Sequence, residues 1–149
     1  MSKIQEAQEI LQSLGLPDAQ SNEMSALTLL ALCNIKENGK WSDAKITQLG
    51  ISKGIMKFIS DNYSRTYAPN TRETFRKNVL HQLVQAKIVD YNPEQPKLAV
   101  NSPKAHYAIS SEVLPVIKSY GTRKWRKQLS LFTGSAGKLK EVYQKKRED

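Results

Sequence analysis

Apolar residues recur along this chain with helical spacing in several separate runs. Ile4, Ala7, Ile10, Leu11 and Leu14 share one face of an amphipathic helix over 3–14. Gly15 stands where a left-handed residue closes such a helix, and Pro17 cannot continue it. A second helix starts near Ser21 or Asn22 and carries Met24, Leu27, Leu30, Ala31 and Ile35. It is apolar around much of its circumference, which predicts the most buried helix of the fold. "KENGKWSD" reads as a loop turning at Asn38-Gly39. Ser42 and Asp43 read as cap and first turn of a short helix ending at Gly50. Ser52 opens another, with Ile55, Met56, Phe58, Ile59 and Tyr63 as its apolar members, and "RTYAP" breaks it.

The next helix, 71–87, has the most specified start. Pro69 precedes Asn70, a preferred cap residue, and Glu73 is placed to reach back to the Asn70 amide as in a capping box. At about 100° per residue, Phe75, Val79, Leu83 and Ala86 fall in one sector, with Leu80 and Val84 beside it. Thr74, Lys77, Asn78, His81 and Gln85 lie opposite, Thr71 sits at the N-terminal edge of that polar face, and Arg72 and Arg76 flank the apolar sector. "KIVDYNPEQPKLAVNSPKAHYAIS" then gives two short strands around a Pro/Asn-rich connection. Ser111 reads as the cap of a helix running to Tyr120 and stopped by Gly121, and 122–132 and 137–147 read as further helices joined by "TGSAG". Several helices followed by a two-stranded ribbon predict a mainly α fold with a small β-hairpin: a winged helix-turn-helix with additional N- and C-terminal helices. The predicted organisation is an N-terminal helix in 1–20, a winged-helix domain in 21–121, and a basic helical extension or linker in 122–149.

Charge sharpens this picture. The net charge is +9, and residues 122–149 hold nine Lys/Arg against three acids, while the other 121 hold fourteen against eleven. A basic balance favours polyanionic partners, although a basic tail alone is equally a solvated helix. The first residues lack an apolar core of the secretory type, and the run "ALTLLALC" is too short to span a membrane. Cys33, within that run, is the only cysteine, so neither a disulfide framework nor a thiolate metal site is expected. A cytoplasmic protein is the simplest expectation.

The polar face of 71–87 holds what a DNA-reading helix needs. Helix N-terminal amides suit phosphate, Arg and Lys pair with phosphates or guanine edges, and Asn and Gln pair with adenine. No acid follows Glu73 on it. Residue chemistry alone leaves an ordinary solvated face open as the alternative. Lys97, Asn101, Ser102, Lys104 and His106 gather on or near the ribbon, as on a wing reaching DNA backbone or minor groove, or on an ordinary hairpin loop. Trp41, Tyr63 and Tyr67 are candidate aromatic surfaces for a methylated base, with core packing as the other reading for Trp41; Trp125 is expected to pack the last helix onto the domain. Catalytic signals are weak. The one acid-x-Lys, Asp43-Ala44-Lys45, has no upstream strand offering an Asp and reads as a first-turn acid favoured by the helix dipole. His81 and His106 lack partners at ligand spacing. No catalytic, cofactor or metal site is expected in this chain.

"LGLP...QSNEMSALTLLAL", "YAPNTRETFRKNVLHQLVQAKIV", "NPEQPKLAVNSPKAHYAI" and "SYGTRKW" occur in this order over about 13–125. Together they resemble the N-terminal domain of the BsuBI/PstI-type restriction endonucleases, most specifically in Tyr67–Thr74 and Val100–Lys104. The resemblance implies a winged-helix-like module of a restriction–modification system that reads double-stranded DNA, with a magnesium-dependent nuclease domain following in the same polypeptide, beginning about where this chain stops. Magnesium is then expected only for that domain, and a palindromic target would suit a homodimer. On this reading Thr71, Arg72, Thr74, Lys77, Asn78 and His81 line the major groove. Tyr67 and Asn70 stand at the helix approach, Arg65 and Arg76 hold phosphates, and Lys97, Asn101, Ser102 and Lys104 act from the wing. A stand-alone winged-helix transcription regulator and a protein-interaction module are the alternatives.

Overall fold

The computed structural model describes residues 1–93, 95, 97–98 and 102–134. Asn101 and the predicted helix over 137–147 lie outside the described residues.

Helix α1, Lys3–Ser13, begins with a reciprocal cap: Ser2 Oγ accepts from the Gln5 amide at 3.1 Å and Gln5 Oε1 accepts from the Ser2 amide at 2.9 Å. Gly15, at φ +105°, closes it, and the Leu16 amide reaches back to the Leu11 carbonyl at 3.1 Å. Helix α2, Glu23–Cys33, starts under an Asn22 cap, whose Oδ1 accepts from the Ser25 amide at 2.9 Å. Every residue from Ser25 to Cys33 is buried, so α2 runs through the centre of the core. Burial pushes the Cys33 thiol well above its ordinary range, which keeps it protonated and inert.

Residues 42–50 do not form the predicted helix. Trp41–Asp43 makes one 3-10 turn, and the chain then runs extended to Leu49, which exchanges backbone hydrogen bonds of 2.9 and 2.8 Å with Tyr107. A nine-residue segment with β-branched Ile46 and Thr47 is too short to be helical by itself, and tertiary pairing decides its form. Helix α3 comprises Ile51–Met56, wound wide with the Ile55 amide bonded to the Gly50 carbonyl, and Lys57–Tyr63. A Cβ at Gly54 would stand 2.9 Å from Leu49 Cβ, so glycine is what lets α3 approach the extended segment. The Tyr63 hydroxyl donates to the Ile35 carbonyl at 2.6 Å inside the core, and Trp41 is buried too. Neither ring offers a surface to a base.

After Ser64, at φ 53°, a short turn leads into α4, which runs through Pro69–Thr71, Arg72–Thr74, Phe75–Leu80 and His81–Gln85. Helices α3 and α4 form the helix-turn-helix. The predicted Asn70–Glu73 capping box is absent: Asn70 lies inside a 3-10 turn without a side-chain cap, and Glu73 is drawn to Arg76 one turn on and to the adjacent Arg72. The predicted core face is borne out, with Phe75, Val79, Leu80, Leu83 and Ala86 buried. Strands β1, Val89–Tyr91, and β2, Tyr107–Ile109, pair antiparallel with Tyr91 opposite Tyr107. Leu49 borders β2 on its other side, so a three-segment ribbon backs α4.

Helix α5, Leu114–Lys118, is preceded by Ser110, whose hydroxyl accepts from the Val113 amide at 3.2 Å. Ser111, the expected cap, is exposed instead, because an intervening turn delays the helix. Helix α6 covers 125–134 within the described residues. Tyr120 joins this end to the start of the chain: its ring meets Trp125 edge-on at 5.2 Å and Trp41 at 5.9 Å, and its hydroxyl donates to Glu9 at 2.6 Å. Trp125 thus packs α6 onto the domain as expected.

Tyr63→Phe strands the buried Ile35 carbonyl and is expected to cost about 1–3 kcal/mol. Urea unfolding measures it; an unchanged midpoint at equal slope would show that the hydroxyl contributes nothing.

Candidate nucleic-acid interface

The exposed side of α4 is built by the burial of its other side. Once Phe75, Val79 and Leu80 are fixed against α2 and Leu83 is buried beside them, the residues between them must point outward. Thr74, Lys77, Asn78 and His81 are exposed in this way, as are Asn70 at the approach and Gln85 at the far end. Thr71, Arg72 and Arg76 are half-buried along its margin. Tyr67 is half-buried and meets Phe75 edge-on at 5.2 Å, so it supports the helix rather than standing clear of it.

Electrostatics divide the cations of this region into two groups. Arg76 forks onto Glu73, with Nη2 2.9 Å from Oε2 and Nε 3.2 Å from both oxygens, and Arg72 Nη1 approaches the same carboxylate at 3.5 Å. Glu73 is the one acid of the helix and its charge is taken up locally; the Arg76 hydrogen bond holds its carboxyl below the ordinary range, with Lys77 and Arg72 adding to the effect. The same contact raises the Arg76 guanidinium. Arg65 is engaged elsewhere: it pairs with Glu23 at 2.6 Å and donates to the Tyr63 carbonyl at 3.2 Å, beside the N-terminus of α2. Lys77 is exposed and enters none of the ion pairs among the described residues.

The wing rises from β1 and β2. Its base is locked by Asn92, at φ 47° and fully buried, whose Oδ1 accepts from the His106 backbone amide at 2.7 Å while the Asn92 backbone amide donates to the His106 carbonyl at 2.8 Å. Ser102 Oγ accepts from the Lys104 amide at 3.1 Å, and the His106 ring lies 2.9 Å from the Lys104 carbonyl. Lys97 and Lys104 are exposed and Ser102 is half-buried.

Sequence periodicity missed one feature. The turn Phe75–Leu80 is wound wide, with the His81 amide bonded to the Arg76 carbonyl five residues back. In an α-helix residues five apart point about 140° away from each other; the extra residue in this turn brings His81 round toward Arg76. The two line a recess of about 170 Å³ together with Val84, Tyr91 and Tyr107, between α4 and the hairpin. The Tyr91 and Tyr107 rings stand 5.0 Å apart. The two tyrosines share a face because they stand directly opposite in the strand pair, and nothing in the sequence announces the wide turn. A second basic surface exists away from α4, where Lys118, Arg123 and Lys124 border an open recess of about 690 Å³. Among the described residues no three of His, Cys, Asp and Glu converge as metal ligands would, and no helix is long and apolar enough to cross a membrane.

Residues 1–141 match the family described as the BsuBI/PstI restriction endonuclease HTH domain. The type II restriction enzyme BsuBI of Bacillus subtilis is 46% identical over 147 residues, 99% of this chain and 46% of that protein. The type II restriction enzyme AplI of Arthrospira platensis is 34% identical over 143 residues, 96% of this chain and 44% of that one. The solved structure of SdaI restriction endonuclease superposes with a TM-score of 0.83 at 35% identity, over 88% of this chain and 41% of the other. The chain therefore spans just under half the length of the relatives it matches.

Because the folded value of Glu73 lies below its unfolded value, its contribution is present above the ordinary glutamate range and is lost as pH falls through the lowered value. A carboxyl-carbon NMR titration should give a midpoint below the figure for glutamate in an unfolded peptide. Arg76→Ala should return it toward that figure, and a wild-type midpoint at or above it would contradict the clamp.

Proposed function

The chain belongs to the BsuBI/PstI restriction endonuclease HTH domain family, and on that premise we propose that it is the double-stranded DNA-reading module of a type II restriction endonuclease. Helix α4 lies in the major groove, with Thr71, Arg72, Thr74, Lys77, Asn78 and His81 toward the bases and Tyr67 and Asn70 at the approach. Arg65 and Arg76 hold backbone phosphates. Lys97, Asn101, Ser102 and Lys104 reach the DNA from the wing.

The observation that carries this reading is the exposed stripe of α4: it is the second helix of a helix-turn-helix, it bears Thr74, Lys77, Asn78 and His81 in the open, and its one acid is already neutralised. Amide, hydroxyl and cationic groups on one exposed stripe supply both hydrogen-bond polarities that base edges require. Cleavage, on this proposal, belongs to a magnesium-dependent nuclease domain in cis. The described residues here do not fit such a metal: Asp43 of Asp43-Ala44-Lys45 is exposed in a 3-10 turn with no converging carboxylates. No step through a metal is assigned to them. A palindromic target would be met by two copies, each reading one half.

Binding to randomised duplexes, methylated and unmethylated, at two salt concentrations tests the module. Enrichment of one short motif that persists at the higher salt is the expected result; binding that collapses with salt and enriches nothing would contradict base reading. On the enriched duplex Asn78→Ala and Lys77→Ala should each cost about 1–3 kcal/mol while leaving random DNA little affected; equal losses on both would show that the residue only holds a phosphate.

A further inference from the structure

The recess between α4 and the hairpin has a chemistry of its own. Its walls supply a guanidinium from Arg76, an imidazole from His81 and two phenols from Tyr91 and Tyr107, with Val84 as the apolar part. No acid lines it. Among the described residues neither phenol is engaged in a hydrogen bond, although Tyr107 is otherwise buried, with 6% of its surface exposed. Burial raises the Tyr107 phenol, with Tyr91 adding to the effect and Arg76 opposing it, and Tyr107 and Arg76 border the same recess. Four residues able to donate hydrogen bonds therefore border one small open space whose remaining wall is apolar, a lining that suits an anion carrying an apolar group. The volume, about 170 Å³, compares with a cavity that admits one small ring. Arg76 enters this recess while its fork is held by Glu73, and a carboxylate and a phosphate compete for the same planar geometry.

We propose that this recess seats one backbone phosphodiester of duplex DNA, with the phosphate against Arg76 and the two phenols, the deoxyribose against Val84 and the tyrosine rings, and the exposed His81 at the rim between this phosphate and the bases. Glu73 serves as an internal stand-in that occupies Arg76 until the phosphate replaces it. The proposal rests on the DNA-reading function above and adds Tyr91, Tyr107 and Glu73 to it. The wide turn of α4 acquires a purpose, since it is what brings His81 to the same recess as Arg76.

The test uses the full chain and a short mixed-sequence duplex, with affinity read by fluorescence anisotropy across a salt series. The double variant Tyr91→Phe/Tyr107→Phe keeps both rings and removes both donors; it should bind about tenfold more weakly on any sequence, with an unchanged salt slope because no charge is lost. Glu73→Gln should bind several-fold more tightly, and adding Arg76→Ala should abolish that gain. Thermal melting of each variant confirms the fold. A double-phenylalanine variant that melts like the parent and binds as the parent does would overturn the inference while leaving the DNA-reading function intact. A gain for Glu73→Gln that survives Arg76→Ala would overturn the stand-in, because general charge would then explain it. Absence of any duplex binding by the parent chain would sink both together. Inorganic phosphate in place of duplex should compete only weakly, since it lacks the sugar and the neighbouring contacts; competition at low concentration would mean that the site takes free phosphate instead.

Discussion

Helix α2 is apolar on every side, and the rest of the structure follows from the need to cover it. A helix with one greasy stripe can rest on the surface of a core, whereas one buried continuously from Ser25 to Cys33 must be surrounded. Helix α1, both parts of α3, the wide turn of α4 and strand β2 all pack on it. Each fully buried Leu or Ile contributes about 1.5–3 kcal/mol relative to exposure, which far exceeds any surface ion pair in this fold. The position of α4 is therefore a packing decision. Phe75, Val79 and Leu80 seat it against the core, and its polar residues are aimed outward as a consequence.

Function is written onto that outward side by small departures from regular geometry. Gly54 lets α3 close on the extended segment at Leu49, and Leu49 in turn pins β2 through Tyr107. Tyr107 belongs to both the ribbon and the recess beside α4, so the segment following Trp41 helps to position a candidate phosphate site without touching it. The wide turn within α4 does the same for His81. Charge is arranged with equal economy: Glu73 holds Arg76 on the margin of α4 and Glu23 holds Arg65 beside the start of α2, which limits the exposed positive field. A phosphate can displace such a partner at little net cost because exposed ion pairs are weak.

Much of this fold was legible in the sequence because its signals are local. Gly15 announced the end of α1, the Asn22 region announced the start of α2, and the spacing of Phe75, Val79, Leu83 and Ala86 defined the inner face of α4. The β-hairpin and the docking of Trp125 were readable for the same reason. What escaped is decided at a distance. Residues 42–50 carry a plausible cap but join the ribbon because Tyr107 offers them backbone partners. Asn70 and Glu73 have the right identities for a capping box, yet two arginines compete for the carboxylate and prevail. Trp41 and Tyr63 looked available in a linear reading, whereas their polar atoms are used inside, on Glu6 and on the Ile35 carbonyl. The recess beside α4 needs a helical turn of unusual width and two strands at once, and no single stretch of sequence encodes it.

On the proposed function, α4 and the wing, rather than the second basic surface at Lys118, Arg123 and Lys124, meet DNA. Chemical-shift mapping of the full chain on titration with a short duplex tests this most directly. Perturbations are expected along Thr71, Thr74, Lys77, Asn78 and His81, extending to Ser102, Lys104 and Tyr107, with α1 unaffected. Perturbations centred on Lys118, Arg123 and Lys124, with α4 unmoved, would contradict it.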